Sequence, residues 1–336
     1  MKKIISLEKP EKLVETALDR AAGRTSGLGD REFLAEKKIT TFSNYLLESI
    51  DKAIRATPTR ESMSAFHYEL VKTLESEEKI TTIRNHFLTV RRLLAYRRRD
   101  AIKTTRASKE GSAKIFRELI GRSASMMKSL ETTVKEFNSL QKNLKELPNI
   151  DAKLKTLVLA GYPNVGKTTI LKRLTGSKPE IAAYPFTTKK LNVGYFEQKF
   201  MKIQVIDTPG LLDRPPRERN SIERKAALAL GLLPCIIGFV ADCSEQACGL
   251  EQQKRLFAAL EKEFAKKEFL VFLNKLDISS KEQKSRAKEL FAGKNAVEFP
   301  EEKAAEIRAM LWTALYREEK RLALKETGLS GNRPPQ

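Results

Sequence analysis

The chain has 336 residues, a formal net charge of +20 at pH 7 and 41% hydrophobic residues, and this length allows two domains with cores of their own. No stretch approaches the roughly 20 apolar residues of a membrane span, and acids and prolines come too early for a secretory signal peptide. The odd cysteine count without a Cys-x-x-Cys pair argues against a disulfide framework and favours a cytoplasmic protein, and two distant histidines give no support to a histidine-built metal site.

Residues 1–150 are predicted to be helical nearly throughout. Apolar residues recur at every third or fourth position, which is the spacing that puts them on one face of a helix. The segments with this spacing are 10–22, 31–56, 62–74 and 80–106. After Gly111 the same pattern runs from 112 to 147, as one long helix or as two collinear ones. Four or five antiparallel helices predict an all-α bundle.

The positive charge of this region is concentrated between Arg84 and Lys128, which hold 13 Lys or Arg residues and only three acids. A helix over 80–106 puts its apolar residues on one side and its arginines around the other. This depletion of acids favours contact with the backbone and shape of RNA over a merely solvated face, and a membrane surface is the weaker alternative. The predicted RNA contacts are Arg91, Arg92, Arg97, Arg98 and Arg99.

Residues 151–325 alternate between strands and helices, which predicts an α/β fold with a mostly parallel sheet and helices on both faces. The predicted strands are 155–160, 190–196, 202–206, 235–241, 269–273 and 295–299. The predicted helices are 167–175, 220–232, 250–265, 280–292 and 301–325. Residues 326–336 are predicted to be a disordered tail.

A phosphate-binding motif, G-x-x-x-x-G-K-[ST], follows the first of these strands. Its backbone N–H groups and the start of the next helix would surround a phosphate chain. Lys167 would reach the outer phosphates, and Thr168 would bind Mg²⁺ through its hydroxyl group. The predicted nucleotide contacts in this loop are Gly161, Tyr162, Pro163, Asn164, Val165, Gly166, Lys167, Thr168 and Thr169.

Three further motifs follow in the order that a GTPase requires. Thr187 lies where a switch threonine belongs and is predicted to bind Mg²⁺. Asp207 and Gly210 form Asp-x-x-Gly, in which the aspartate would hold Mg²⁺ and the glycine N–H would contact the terminal phosphate. Lys167, Thr187 and Gly210 are the predicted catalytic residues.

The third motif is Asn-Lys-x-Asp, formed by Asn274, Lys275 and Asp277. The Asp277 carboxylate can accept two hydrogen bonds from guanine, whereas adenine lacks that pair of donors. The motif therefore predicts GTP rather than ATP as the ligand.

The motif residues, together with the runs 184–189, 193–195 and 204–216, resemble the Obg-related GTPases. The sequence from Leu212 to Asn220 and a helical region of this length resemble more specifically the Nog, or nucleolar GTP-binding, family, in an archaeal-type minimal form. This resemblance implies a GTPase that acts in assembly of the large ribosomal subunit. Its implied partners are ribosomal RNA, the subunit precursor and assembly factors, and we expect a monomer that binds no membrane.

Two positions depart from the usual GTPase pattern. Leu211 stands where Ras-type enzymes have a glutamine that orients water, and the Obg-related proteins share this change, so the resemblance implies slow hydrolysis aided by K⁺ or a partner. Asn164 is the candidate K⁺ ligand, because similar GTPases use an asparagine there. The last guanine-binding loop is not recognisable, and residues 295–300 stand in its place.

These motifs suggest that GTP and Mg²⁺ order Thr187 and residues 210–220, and that hydrolysis releases them. Arg214, Arg217 and Arg219 are the predicted contacts between this switch and a partner, although surface solvation explains them nearly as well. Two other functions stay open. The helical region could be a protein-docking scaffold stabilised by GTP, or the chain could regulate translation or stress responses on mature ribosomes.

Overall fold

The computed structural model describes residues 5–23, 31–107, 111–145, 147–176, 180–182, 190–300 and 303–326. These residues form two compact units. The first comprises Met1–Ser62 and Leu74–Lys145, and the second comprises Met63–Thr73 and Glu146–Gln336. The predicted tail at 326–336 lies outside the described residues except for Glu326, which ends the last helix.

Helices make up the first unit, because the predicted apolar faces pack on one another. Their bounds are α1 (Pro10–Gly23), α2 (Arg31–Ala56), α4 (Glu77–Ala107), α5 (Ser112–Ser129) and α6 (Glu131–Leu144). Phe42 of α2, Phe87 of α4 and Phe137 of α6 are each 0% exposed. The Phe87 and Phe137 rings meet edge to face with centroids 5.6 Å apart, the arrangement that aromatic quadrupoles favour. The predicted bundle is therefore present.

Two features of the helical region differ from the simplest prediction. The pattern over 112–147 forms two helices, since Leu130 ends α5 and precedes α6 with φ −80° and ψ 0°. Leu130 is 0% exposed, so the break is fixed by packing rather than by a glycine or proline. Helix α3 (Ala65–Leu74), apart from its last residue, belongs to the second compact unit and not to the first.

A seven-stranded sheet organises the second unit, in the order β2-β3-β4-β1-β5-β6-β7. Strands β1, β4, β5, β6 and β7 run parallel, and β2 and β3 join antiparallel at one edge. The strands are β1 (Lys155–Ala160), β2 (Glu180–Ala182), β3 (Leu191–Gln198), β4 (Met201–Asp207), β5 (Cys235–Asp242), β6 (Phe269–Asn274) and β7 (Ala296–Glu298). The mostly parallel sheet is confirmed, and only β2 was not predicted.

Helices cover both faces of this sheet. They are α7 (Lys167–Thr175), α8 (Ser221–Leu230), α9 (Leu250–Glu263), α10 (Lys281–Leu290) and α11 (Ala304–Glu326). Ile170 of α7 and Leu311 of α11 share one buried cluster with Val240 of β5. Phe257 of α9 instead contacts Phe239, with ring centroids 5.3 Å apart. Because successive strand residues point to opposite faces, α9 lies on the other side of the sheet.

None of the helices in the described ranges is long and apolar enough to span a membrane.

Candidate nucleotide-binding site

The phosphate loop joins β1 to α7 at the carboxyl edge of the sheet. Gly161 has φ +132° and Gly166 has φ +100°, values that side chains strongly disfavour. A Cβ at Gly161 would lie 2.6 Å from the Val240 carbonyl oxygen, and one at Gly166 would lie 2.2 Å from Asn274 Nδ2. Both glycines are therefore required by backbone conformation and by close packing.

Lys167 lies across this loop instead of extending into solvent. Its side chain is nearly buried, and its Nζ donates to the carbonyl oxygens of Gly161 at 2.7 Å and Tyr162 at 2.8 Å. An ammonium group held at the mouth of a loop is well placed to pair with an anion. Asn164, the candidate K⁺ ligand, is exposed with φ 63°.

Thr168 and Asp207 meet at the end of β4. Thr168 Oγ1 donates to Asp207 Oδ2 at 2.5 Å, and Asn192 Nδ2 donates to the same oxygen at 3.0 Å. Asp207 is 0% exposed, and within the described part of the chain no group donates to its Oδ1 atom. A buried carboxylate oxygen without a donor beside a hydroxyl group is an oxygen-rich set of ligands that suits Mg²⁺.

The segment after Asp207 makes one backbone contact with the loop and one side-chain contact within itself. Gly161 N donates to the Leu212 carbonyl oxygen at 3.1 Å, and Gly210 N donates to Asp213 Oδ2 at 2.8 Å. Leu211 is 1% exposed, so its side chain is packed in the core. A buried alkyl group offers no hydrogen bond to an attacking water molecule, and slow hydrolysis stays a prediction.

The base-recognition motif follows β6. Asn274 Nδ2 donates to the Val165 carbonyl oxygen at 2.8 Å, which links this motif directly to the phosphate loop. Lys275 has φ 59°, and Asp277 is exposed in a short 3-10 helix, Leu276–Ile278. The structure thus brings the phosphate loop and the base-recognition motif to the same edge of the sheet.

Asp242, at the end of β5, is a site residue that the motifs missed. Its Oδ2 accepts from Lys275 Nζ at 2.8 Å and from Ala247 N at 3.0 Å, and its Oδ1 accepts from Ser244 Oγ. Burial raises the pKa of Asp242, but these hydrogen bonds outweigh burial and hold the pKa below its usual value. Asp242 orients Lys275, and a signal was present: Asp-x-Ser follows an apolar strand at the same edge of the sheet.

Two further parts of the site were predicted at Thr187 and at residues 295–300. Thr187 lies outside the described residues. Residues 295–300 comprise Asn295, strand β7 and the two positions after it, and their part in guanine binding stays a prediction.

The three switch arginines differ in what they can contact. Arg219 is wrong as a surface contact, because its side chain is 0% exposed and donates to both Glu263 oxygens, at 3.0 and 2.8 Å. Arg214 Nη2 donates to Glu223 at 2.7 Å. Arg217 has an 85% exposed side chain, against 39% for Arg214, which makes it the most accessible of the three.

The arginines of α4 likewise fall into different environments. Arg91 pairs with Asp51 at 2.5 Å, and Arg98 donates to Asn44 at 2.7 Å, so both are held against α2. Arg92 and Arg99 are exposed and make no hydrogen bond or ion pair with any described residue. Arg97 lies over the Tyr96 ring at 5.6 Å.

Comparison with known proteins agrees with this geometry. Residues 156–275 match the family model described as 50S ribosome-binding GTPase. Residues 1–151 match the model described as NOG1 N-terminal helical domain. The chain belongs to the Nog family of GTPases. The predicted family, and the predicted fold of a helical region followed by a P-loop GTPase domain, are thus confirmed.

Relatives of this Nog-family chain include an uncharacterized protein of Methanocaldococcus jannaschii, 34% identical over 84% of this chain and 82% of the relative. Nucleolar GTP-binding protein 1 of Saccharomyces cerevisiae is 31% identical over 72% of this chain and 38% of its own length. The chain therefore spans well under half of that eukaryotic relative. A crystal structure named for nucleolar GTP-binding protein 1 of Plasmodium falciparum is 29% identical, covers 54% of this chain and 96% of its own, and has a TM-score of 0.46.

Proposed function

We propose that this chain is a GTP-dependent switch in the assembly of the large ribosomal subunit, with slow GTP hydrolysis. The observation that carries the proposal is the Asn274–Val165 hydrogen bond at 2.8 Å, which joins a base-recognition motif to a phosphate loop. Family membership and the nucleolar and ribosomal names of its relatives support the assembly role. The subunit precursor and assembly factors are the proposed partners, and the cellular location and monomeric state remain predictions.

In this proposal each residue has a separate task. Lys167 and Gly210 contact the outer phosphates, and Asp277 accepts from guanine. Thr168, Asp207 and Thr187 hold Mg²⁺, which neutralises charge on the terminal phosphates when bound. Asn164 is the proposed K⁺ ligand. The loop residues from Gly161 to Thr169 surround the phosphate chain.

Calorimetry with GTP, GDP and ATP in the presence of Mg²⁺ tests the nucleotide assignment. The wild type should bind both guanine nucleotides and discriminate against ATP. Asp277→Asn should weaken GTP binding by about tenfold or more, because the site loses a charged acceptor for guanine. Glu282→Gln, a nearby exposed acid, serves as the matched control. Equal affinity for ATP and GTP in the wild type would contradict the proposal.

The second part of the proposal is that the helical region, residues 1–150, binds ribosomal RNA through α4. Arg92 and Arg99 are the contacts best supported, because their side chains are exposed. Leu93 and Tyr96, which are 46% and 59% exposed, lie between them on the same helix. An aromatic ring among exposed guanidinium groups suits stacking on bases as well as pairing with phosphates.

Arg91 and Arg98 are also proposed to contact RNA. RNA would have to displace their present acceptors on α2, Asp51 and Asn44. In the proposed switch, GTP hydrolysis releases residues 210–220, and this release changes the affinity of the helical region for RNA. Pull-down of ribosomal particles with a non-hydrolysable GTP analogue and with GDP tests this step. Equal recovery in the two nucleotide states would remove the switch and leave a docking scaffold.

A further inference from the structure

In the proposed site the amide of Gly210 is one of the donors, with Lys167, on which recognition of a terminal phosphate depends. Gly210 has φ +80°, a conformation that favours glycine, and its N–H points to a side chain of its own turn. The acceptor is Asp213 Oδ2 at 2.8 Å, and Asp213 is only 6% exposed. This carboxylate therefore occupies the hydrogen-bonding position that a terminal phosphate oxygen would need.

The turn that presents Asp213 is held in place at several points. Leu211 N donates to the Thr208 carbonyl oxygen at 3.2 Å, and Gly161 N donates to the Leu212 carbonyl oxygen at 3.1 Å. Leu212 itself is 0% exposed. The position of Asp213 next to Gly210 is therefore well defined, because buried neighbours fix the backbone on its N-terminal side.

We propose that Asp213 is a specificity residue that sets the preference between GTP and GDP, an inference that rests on the proposed function. One N–H group makes one strong hydrogen bond, so Asp213 and a terminal phosphate compete for Gly210. Two anions brought together where little water reaches them also repel. Asp213 must therefore leave Gly210 when GTP binds, whereas GDP leaves the contact intact.

The contact consequently lowers the affinity for GTP and leaves the affinity for GDP unchanged. The two states of the switch then differ in the acceptor of the Gly210 N–H. In the GDP-bound state the acceptor is the Asp213 carboxylate, and in the GTP-bound state it is the terminal phosphate. A residue that only supported the loop would affect both nucleotides alike. The ratio of the two affinities separates these roles.

The test measures binding of fluorescent GDP and of a fluorescent non-hydrolysable GTP analogue to the full chain and its variants. Asp213→Ala should raise the affinity for the GTP analogue about tenfold relative to GDP. This is the effect expected when GTP no longer has to break one charged hydrogen bond, that between Gly210 and Asp213. Asp213→Asn keeps an acceptor but removes the charge, so its ratio should move in the same direction by less. Glu197→Ala, an exposed acid of β3, should leave the ratio unchanged.

Hydrogen exchange at Gly210 gives a second measurement that does not depend on hydrolysis. With GDP bound, Asp213→Ala should exchange this amide faster than the wild type does. With the GTP analogue bound, the two proteins should exchange it equally. Wild-type binding of neither nucleotide would refute the proposed function itself. Retained GDP binding with an unchanged ratio, or an equal loss for both nucleotides, would refute the role of Asp213 alone.

Discussion

The paired cations around the nucleotide site and the exposed arginines of α4 carry positive charge in different ways. In the second unit, Lys167, Lys275 and Arg219 are each paired with defined acceptors: backbone carbonyl oxygens, Asp242 and Glu263. In the first unit, Arg92 and Arg99 of α4 reach solvent without a partner among the described residues. Paired and buried cations hold the surrounding groups in one fixed arrangement. Exposed cations create a positive electrostatic potential that can attract polyanions of many shapes.

The largest expected effect tests the buried side of this comparison. Arg219→Met should lower the free energy of unfolding by about 3–5 kcal/mol, because it leaves Glu263 charged and unpaired where its side chain is 11% exposed. Arg217→Met, which removes an 85% exposed side chain nearby, should change stability by about 0.5 kcal/mol or less. Denaturant unfolding measures both variants. Equal stability would mean that the ion pair contributes nothing.

Lys167 should be the paired cation that matters most for the ligand. Lys167→Met is expected to weaken GTP and GDP binding by roughly 10- to 100-fold, since a charged hydrogen bond to phosphate contributes about 1.5–3 kcal/mol. Lys172→Met removes an exposed lysine from the same helix and is the control. Calorimetry decides between them. Comparable losses in the two variants would assign Lys167 no special position.

The exposed side of the comparison predicts a smaller effect that depends on salt. Arg92→Glu with Arg99→Glu should weaken binding to ribosomal RNA and lower the slope of log affinity against log salt by about one per lost phosphate contact. Lys142→Glu with Lys145→Glu makes the same change in charge elsewhere in the helical unit. Filter binding over a salt series measures the slopes. An identical loss in both pairs would indicate that only net charge matters.

The smallest effect concerns the acid that pairs with Lys275. The pKa of Asp242 is lowered by folding, so its ionised form stabilises the native state above the ordinary pKa of 3.8. That contribution should be lost as pH falls through the lower pKa of the folded state. Asp242→Asn should therefore flatten the dependence of unfolding free energy on pH in the acid range. Glu197→Gln should leave this pH dependence unchanged. A pH dependence of Asp242→Asn as steep as that of the wild type would contradict this account.

The sequence predicted those parts that follow from local spacing. The 3.6-residue period gave the helices, and the phosphate loop was specified because only glycine fits at Gly161 and Gly166. Contacts between distant residues could not be predicted in this way. Nothing near Arg219 indicates Glu263, which is 44 positions away, and Asp51 lies 40 positions from Arg91. The pattern of charges therefore identified a basic helix but could not tell which arginines are free.

One contact in the nucleotide site has a wider consequence. Because the Asn274 amide donates to the loop carbonyl of Val165 and leaves no room for a Cβ at Gly166, neither motif can shift without disturbing the other. Guanosine and pyrophosphate, offered as separate fragments, should consequently assist each other's binding. A substitution at Asn274 should accordingly alter binding of the purine and of the phosphates together.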